Sequence, residues 1–126
     1  MNCRIIAVDE FKKDAKKLLK KYASLKQELG ELQNLLLKNP RMGVLIHENT
    51  YKIRLAVKSK GKGKSGGVRI ITHVIEVEVQ VEDGNTGNDI TVFLLAIYNK
   101  SDMENISDKE LKAIIGEIQS EFGEEE

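Results

Sequence analysis

"YKIRLAVK", Tyr51–Lys58, is the segment from which the rest of the chain can be placed. Tyr51, Ile53, Leu55 and Val57 alternate with Lys52, Arg54, Ala56 and Lys58, the period-2 pattern of a strand with one apolar and one cationic face. Before Gly43 the period is helical. Asp9 is placed to cap a first helix whose apolar stripe is Phe11, Ala15, Leu18, Leu19 and Tyr22. Ser24, with Gln27 three residues on, reads as the capping box of a second helix. Leu25, Leu29, Leu32, Leu35 and Leu36 form its stripe, and Asn39-Pro40 ends it. "CRIIAV" precedes both helices as a short first strand.

After "VLIHE" and Tyr51–Val57 the pattern stays strand-like. "VRIITHVIEVEVQVE" and "ITVFLLAIYNK" flank the turn-rich "EDGNTGND" and read as a long hairpin. An amphipathic helix follows, capped by Ser107 with Glu110. The expected order is β-α-α-β-β-β-α, an α+β fold with an antiparallel sheet and helices packed on one face.

The 126 residues are expected to form one domain, 1–126, large enough for a core without disulfide or metal staples. Cys3 is the one cysteine, and no Cys/His cluster has zinc-ligand spacing. No segment approaches the ~18 consecutive apolar residues of a membrane span, and a cytoplasmic location without membrane contact is expected. The net charge is zero, but it is divided along the chain. Tyr51 to Ile75 holds seven basic residues and no acid, whereas Asp102 to Glu126 holds nine acids against Lys109 and Lys112. Such a division is compatible with a polyanionic partner despite the neutral sum.

"KSKGKGKSGGVRI", Lys58–Ile70, lies at the centre of the basic stretch. A nucleotide-binding P-loop needs its first glycine where Lys58 stands, and a helix where the strand-like "VRII" follows. A solvated hairpin loop is the simplest alternative. A mobile basic arm carrying Lys58, Lys60, Lys62 and Lys64 onto a nucleic-acid backbone accounts better for the alternating Lys and Gly.

"YKIRLAVKSKGKGKSGGVRIITHV" followed by "FLLAIYNKSDMENISDKELKAII" resembles the RelE/ParE superfamily of bacterial toxins, and within it the HigB-like group. The resemblance extends over nearly the whole chain. It implies a RelE-like microbial ribonuclease-type fold. It also implies the toxin of a type II toxin–antitoxin system, a metal-independent mRNA interferase that cuts mRNA in the ribosomal A site and inhibits translation. The implied partners are the ribosome, mRNA and a cognate antitoxin of helix-turn-helix type; no cofactor is implied. Other members of the superfamily poison gyrase, so the fold alone leaves a ParE-like gyrase poison or an inactive antitoxin-bound protein as alternatives. The family's basic pair falls on Lys52 and Arg54, its strand-opening arginine on Arg69, and its late basic residue on Lys100. The tyrosine that ribonuclease relatives carry further on has no counterpart in "MENIS", and Tyr98 is the nearest substitute.

Metal-free RNA cleavage needs a base for the 2′-hydroxyl, cations for the pentavalent phosphate and an acid for the 5′-oxygen. Arg69 suits the phosphate, because a guanidinium forks onto two oxygens and stays charged. Arg54 would position the phosphate, and Lys52 is the first candidate base. Lys100 or Tyr98 would act at the leaving side. His73, four residues after Arg69, and His47 compete for the acid–base roles. A plain RNA-binding module is a weaker reading, since no exposed aromatic pair is available for stacking.

Overall fold

The computed structural model describes residues 2–60, 67–80, 84, 86–100 and 107–122. Among these, three helices and five strands are organised around one sheet. The order is β1 (Asn2–Ala7), α1 (Asp9–Lys21), α2 (Leu25–Lys38), β2 (Val44–His47), β3 (Thr50–Leu55), β4 (Val68–Gln80), β5 (Thr86–Asn99) and α3 (Asp108–Phe122), with a 3-10 turn at Lys58–Lys60 after β3. The strand order across the sheet is β1-β5-β4-β3-β2.

Three features differ from the expected fold. The sheet has five strands rather than four, because Val44–His47 is a separate edge strand that turns through Glu48-Asn49 into β3. Asn49 takes φ 55°, a left-handed conformation that asparagine tolerates well. The sheet is also mixed: β2-β3, β3-β4 and β4-β5 are antiparallel, but β1 runs parallel to β5. Finally, the helices pack on both faces. Phe11, Ala15, Leu25, Leu32 and Leu36 of α1 and α2 share a core with Ile53, Ile70, Val92 and Ile97. Leu111, Ile115 and Ile118 of α3 share another with Ile71, Phe93, Leu95 and Tyr98. Neighbouring strand residues such as Ile70 and Ile71 alternate between the two cores, so the cores lie on opposite faces.

The helices begin and pack with small departures from their sequence pattern. α1 includes Asp9 in its first turn and has Val8 as N-cap, one residue earlier than expected. Acids in that turn and Lys20 and Lys21 in the last complement the helix dipole. Leu19 and Leu35 stay exposed at 38% and 52%. The buried stripe of α2 is Leu25, Glu28, Leu32 and Leu36, spaced at i, i+3, i+7 and i+11. Leu25 and Leu36 are fully buried, each contributing about 1.5–3 kcal/mol relative to exposure. Ser24 is the N-cap of α2 but its side chain caps no backbone group, so the expected box with Gln27 does not form. The Ser107–Glu110 box does form: Ser107 Oγ accepts from Glu110 N–H at 3.1 Å and donates to Glu110 Oε1 at 3.1 Å.

Two glycines are required by close approach. A Cβ on Gly67 would lie 2.0 Å from the Leu55 carbonyl oxygen, where the end of β3 crosses the start of β4. Gly43 has φ +105° and a Cβ there would meet the Lys52 carbonyl oxygen at 2.7 Å.

Candidate functional site

The register of β3, β4 and β5 decides which predicted residues meet. Arg54 is the cross-strand partner of Arg69, and Arg69 is the partner of Tyr98. These three therefore form one transverse row across three strands. The next row is Lys52, Ile71 and Ala96, and the one after it is Thr50 and His73 with Phe93. All of them lie on the face that packs α3, because Lys52 and Arg54 alternate with Tyr51, Ile53 and Leu55 of the other core.

A bulge keeps Tyr98 on that face. Ile71 pairs with Ala96 but Thr72 pairs with Leu94, so Leu95 is the extra residue in β5. Leu95 and Ala96 thus both turn toward α3, and Ile97 returns to the opposite core. Without the shift, Ile97 and Tyr98 would exchange faces.

The row is graded in exposure. Arg54 is exposed and Lys52 is half-buried, whereas Arg69 keeps 4% and Tyr98 6% of their surface. Tyr98 belongs to the cluster with Leu111, Ile115 and Ile118. Lys100 follows β5 with an exposed side chain, and its N–H donates to the Gly67 carbonyl at 3.5 Å, tying it to the start of β4 near Arg69.

His73 is buried further along the same face. Four residues separate it from Arg69 along β4, about 13 Å in a regular strand. The Thr50 hydroxyl donates to the Glu48 carbonyl at 2.8 Å, so its lone pair must accept from His73 Nδ1–H at 2.9 Å. This assigns the Nδ1–H tautomer and makes Nε2 the basic nitrogen. Burial pushes the imidazole below its ordinary pKa; His47 and Arg41 act in the same direction, and Glu48 opposes them. Lys52 lies diagonally between His73 and Arg69, one row from each.

The basic loop is anchored where it begins. Glu28, 7% exposed in α2, accepts from Lys58 N–H at 2.8 Å and from Ser24 Oγ at 3.1 Å. Ser59 N–H donates to Ser24 Oγ at 3.0 Å. Lys60 reaches inward, donating to Asn99 Oδ1 at 2.8 Å, with its ammonium 5.2 Å from the centre of the Tyr22 ring. Burial pulls the Tyr22 phenol upward, but the Asn99 hydrogen bond and the charges of Lys60 and Lys21 outweigh it and leave its pKa below the ordinary value. The Lys58 side chain is exposed, as a phosphate contact requires, while Lys60 is committed to the protein itself. Lys62 and Lys64 lie outside the described residues.

Glu28, Thr50 and Asn99 carry no sequence signal of their own, and Tyr22 reads from sequence only as part of the α1 stripe. Each is identified only by a partner at least 20 residues away. Glu28 gave the nearest thing to a signal, because it falls within the apolar stripe of α2. Among the described residues, no three His, Cys, Asp or Glu side chains are grouped to hold a metal ion, and no helix is long and apolar enough to cross a membrane. No protein-family model matches this chain.

Proposed function

We propose that this chain is a cytoplasmic toxin of the RelE/HigB type, a ribosome-dependent endoribonuclease that cuts mRNA and is held inactive by a cognate antitoxin of helix-turn-helix type. The observation that supports it best is the Arg54–Arg69–Tyr98 row with Lys52 one row away on the same face. Two guanidiniums side by side suit a scissile phosphate, whose charge rises as the 2′-oxygen attacks. Lys52 stands one row from both Arg69 and His73, and it takes the 2′-hydroxyl proton. Tyr98 or Lys100 attends the leaving 5′-oxygen. His73, buried and bonded to Thr50, is too far along β4 to share one phosphate with Arg69. The ribosome supplies orientation of the mRNA, which relieves the enzyme of needing a group matched to neutral pH.

The low exposure of Arg69 and Tyr98 favours a second reading. In it, the row is structural and the chain is a gyrase poison or an inactive antitoxin-bound protein.

Primer extension of mRNA in a reconstituted bacterial translation system separates the two. Ribosome-dependent cuts that are lost in Arg54→Ala, an exposed position whose truncation leaves the fold intact, are expected. Intact mRNA together with inhibition of gyrase supercoiling would replace the nuclease reading by the second.

A further inference from the structure

β1 accompanies β5 only part of the way. Their parallel pairing runs from Asn2↔Asp89 to Ala7↔Leu94, and its last bond is Val8 N–H to the Leu94 carbonyl at 3.1 Å. The chain then turns into α1 at Asp9, but β5 continues to Asn99. From residue 95 onward, no described strand pairs with β5 on that side.

The backbone of Ile97 faces this opening. Lys100 N–H bonds to the Gly67 carbonyl, so the antiparallel pair two residues back, Arg69↔Tyr98, also exchanges hydrogen bonds within the β4-β5 ladder. The intervening pair, Ile70↔Ile97, is a non-bonded pair, and the N–H and C=O of Ile97 point away from β4.

Beside it the described residues border an open hollow. A cavity of 370 Å³ is floored by residues 95–98 and walled by Glu10 and Asp14 of α1 on one side and Glu110 and Glu117 of α3 on the other. A second, of 510 Å³, shares Asp14 and Ile97 and continues toward Lys17 and Lys21. The two helices lie on opposite faces of the sheet, so a hollow touching both must run along the sheet's edge. Its floor, Leu95 to Tyr98, is about 10 Å long, room for an added strand of about three residues.

We propose that the edge of β5 beyond Leu94 is a docking slot for an extended, Lys- or Arg-bearing peptide segment of a partner protein. The segment adds a strand on the line that β1 leaves at Val8. Main-chain bonds to Ile97 supply affinity, and the four carboxylates of the walls select basic side chains. The wall residues lie outside the cationic row, although Tyr98, at the end of that row, forms part of the floor.

A short acetylated peptide alternating lysine and valine is the probe, titrated into the full chain by fluorescence anisotropy, with amide hydrogen exchange read at Ile97. Binding is expected, together with new protection of the Ile97 amide, and the double variant Glu10→Lys/Glu117→Lys, both exposed positions, should bind roughly tenfold more weakly. A control peptide with proline in place of valine keeps the charge but cannot form the ladder. Equal binding of the control would mean simple charge attraction and would overturn the proposal. So would a slowly exchanging Ile97 amide in the free monomer, or no binding of the lysine–valine peptide. Protection of Ile97 that rises with protein concentration alone would give the slot to a second copy of the chain and overturn the peptide proposal.

Discussion

Arg54 and Arg69 face each other across the β3-β4 ladder, yet one is exposed and the other retains 4% of its surface. Their roles should therefore separate on mutation. Arg54→Ala is expected to lower mRNA cleavage by about 10²-fold, the usual effect of removing one group that stabilises transition-state charge, with unfolding free energy unchanged. Arg69→Ala should lose activity and stability together, because it empties a buried position. Cleavage rates in the translation system and urea melts of the same preparations check both; an Arg54→Ala protein that cuts normally would remove Arg54 from the site.

The two kinds of glycine give opposite signs. Gly67→Ala places a methyl 2.0 Å from the Leu55 carbonyl oxygen, where only backbone movement can relieve the clash. A loss of about 3 kcal/mol is expected. Gly30 lies inside α2 with nothing within 4 Å of a Cβ, and Gly30→Ala should add about 1 kcal/mol. Equilibrium denaturation of the two variants tests the pair.

His73 makes stability depend on pH. Its folded pKa is lowered, so below its ordinary value of about 6.5 the unfolded chain binds the proton that the folded chain resists. This contribution is complete above that value and is lost as pH falls through the window down to the folded pKa. The dependence should flatten in His73→Gln. Thr50→Val, which leaves Nδ1–H without its acceptor, is expected to cost about 1–3 kcal/mol at neutral pH. Urea midpoints measured from neutral to mildly acid pH decide both.

Lys60 holds Tyr22 electrostatically as well as bridging to Asn99. Removing its charge in Lys60→Met should raise the Tyr22 pKa toward the ordinary tyrosine value, measurable by carbon NMR of the phenol ring. Lys58→Ala should leave that titration unchanged while weakening the salt dependence of RNA binding by about one phosphate contact.

Much of this protein is local information. The alternation of Tyr51–Val57 assigns Ile53 to a core face and Arg54 to the opposite, cationic face, and the Ser107–Glu110 box sets the start of α3, because strand periodicity and helix capping involve residues a few positions apart. The same periodicity placed Arg69 and His73 on one face of β4. What the sequence left open required contacts distant along the chain. The apolar stripe of α3 carries no mark of which sheet face it will cover, and the "CRIIAV" pattern fits a parallel partner as well as an antiparallel one. Leu95 looks like any other residue of β5, but as the bulge it decides that Tyr98 joins Arg69's row and not the opposite core. Glu28, a polar residue in a leucine-rich helix, becomes the anchor of Lys58 only when α2 and the end of β3 are brought together. Local pattern determined the elements and their faces; tertiary packing determined which faces meet, because those choices rest on burial shared between segments that the chain itself keeps far apart.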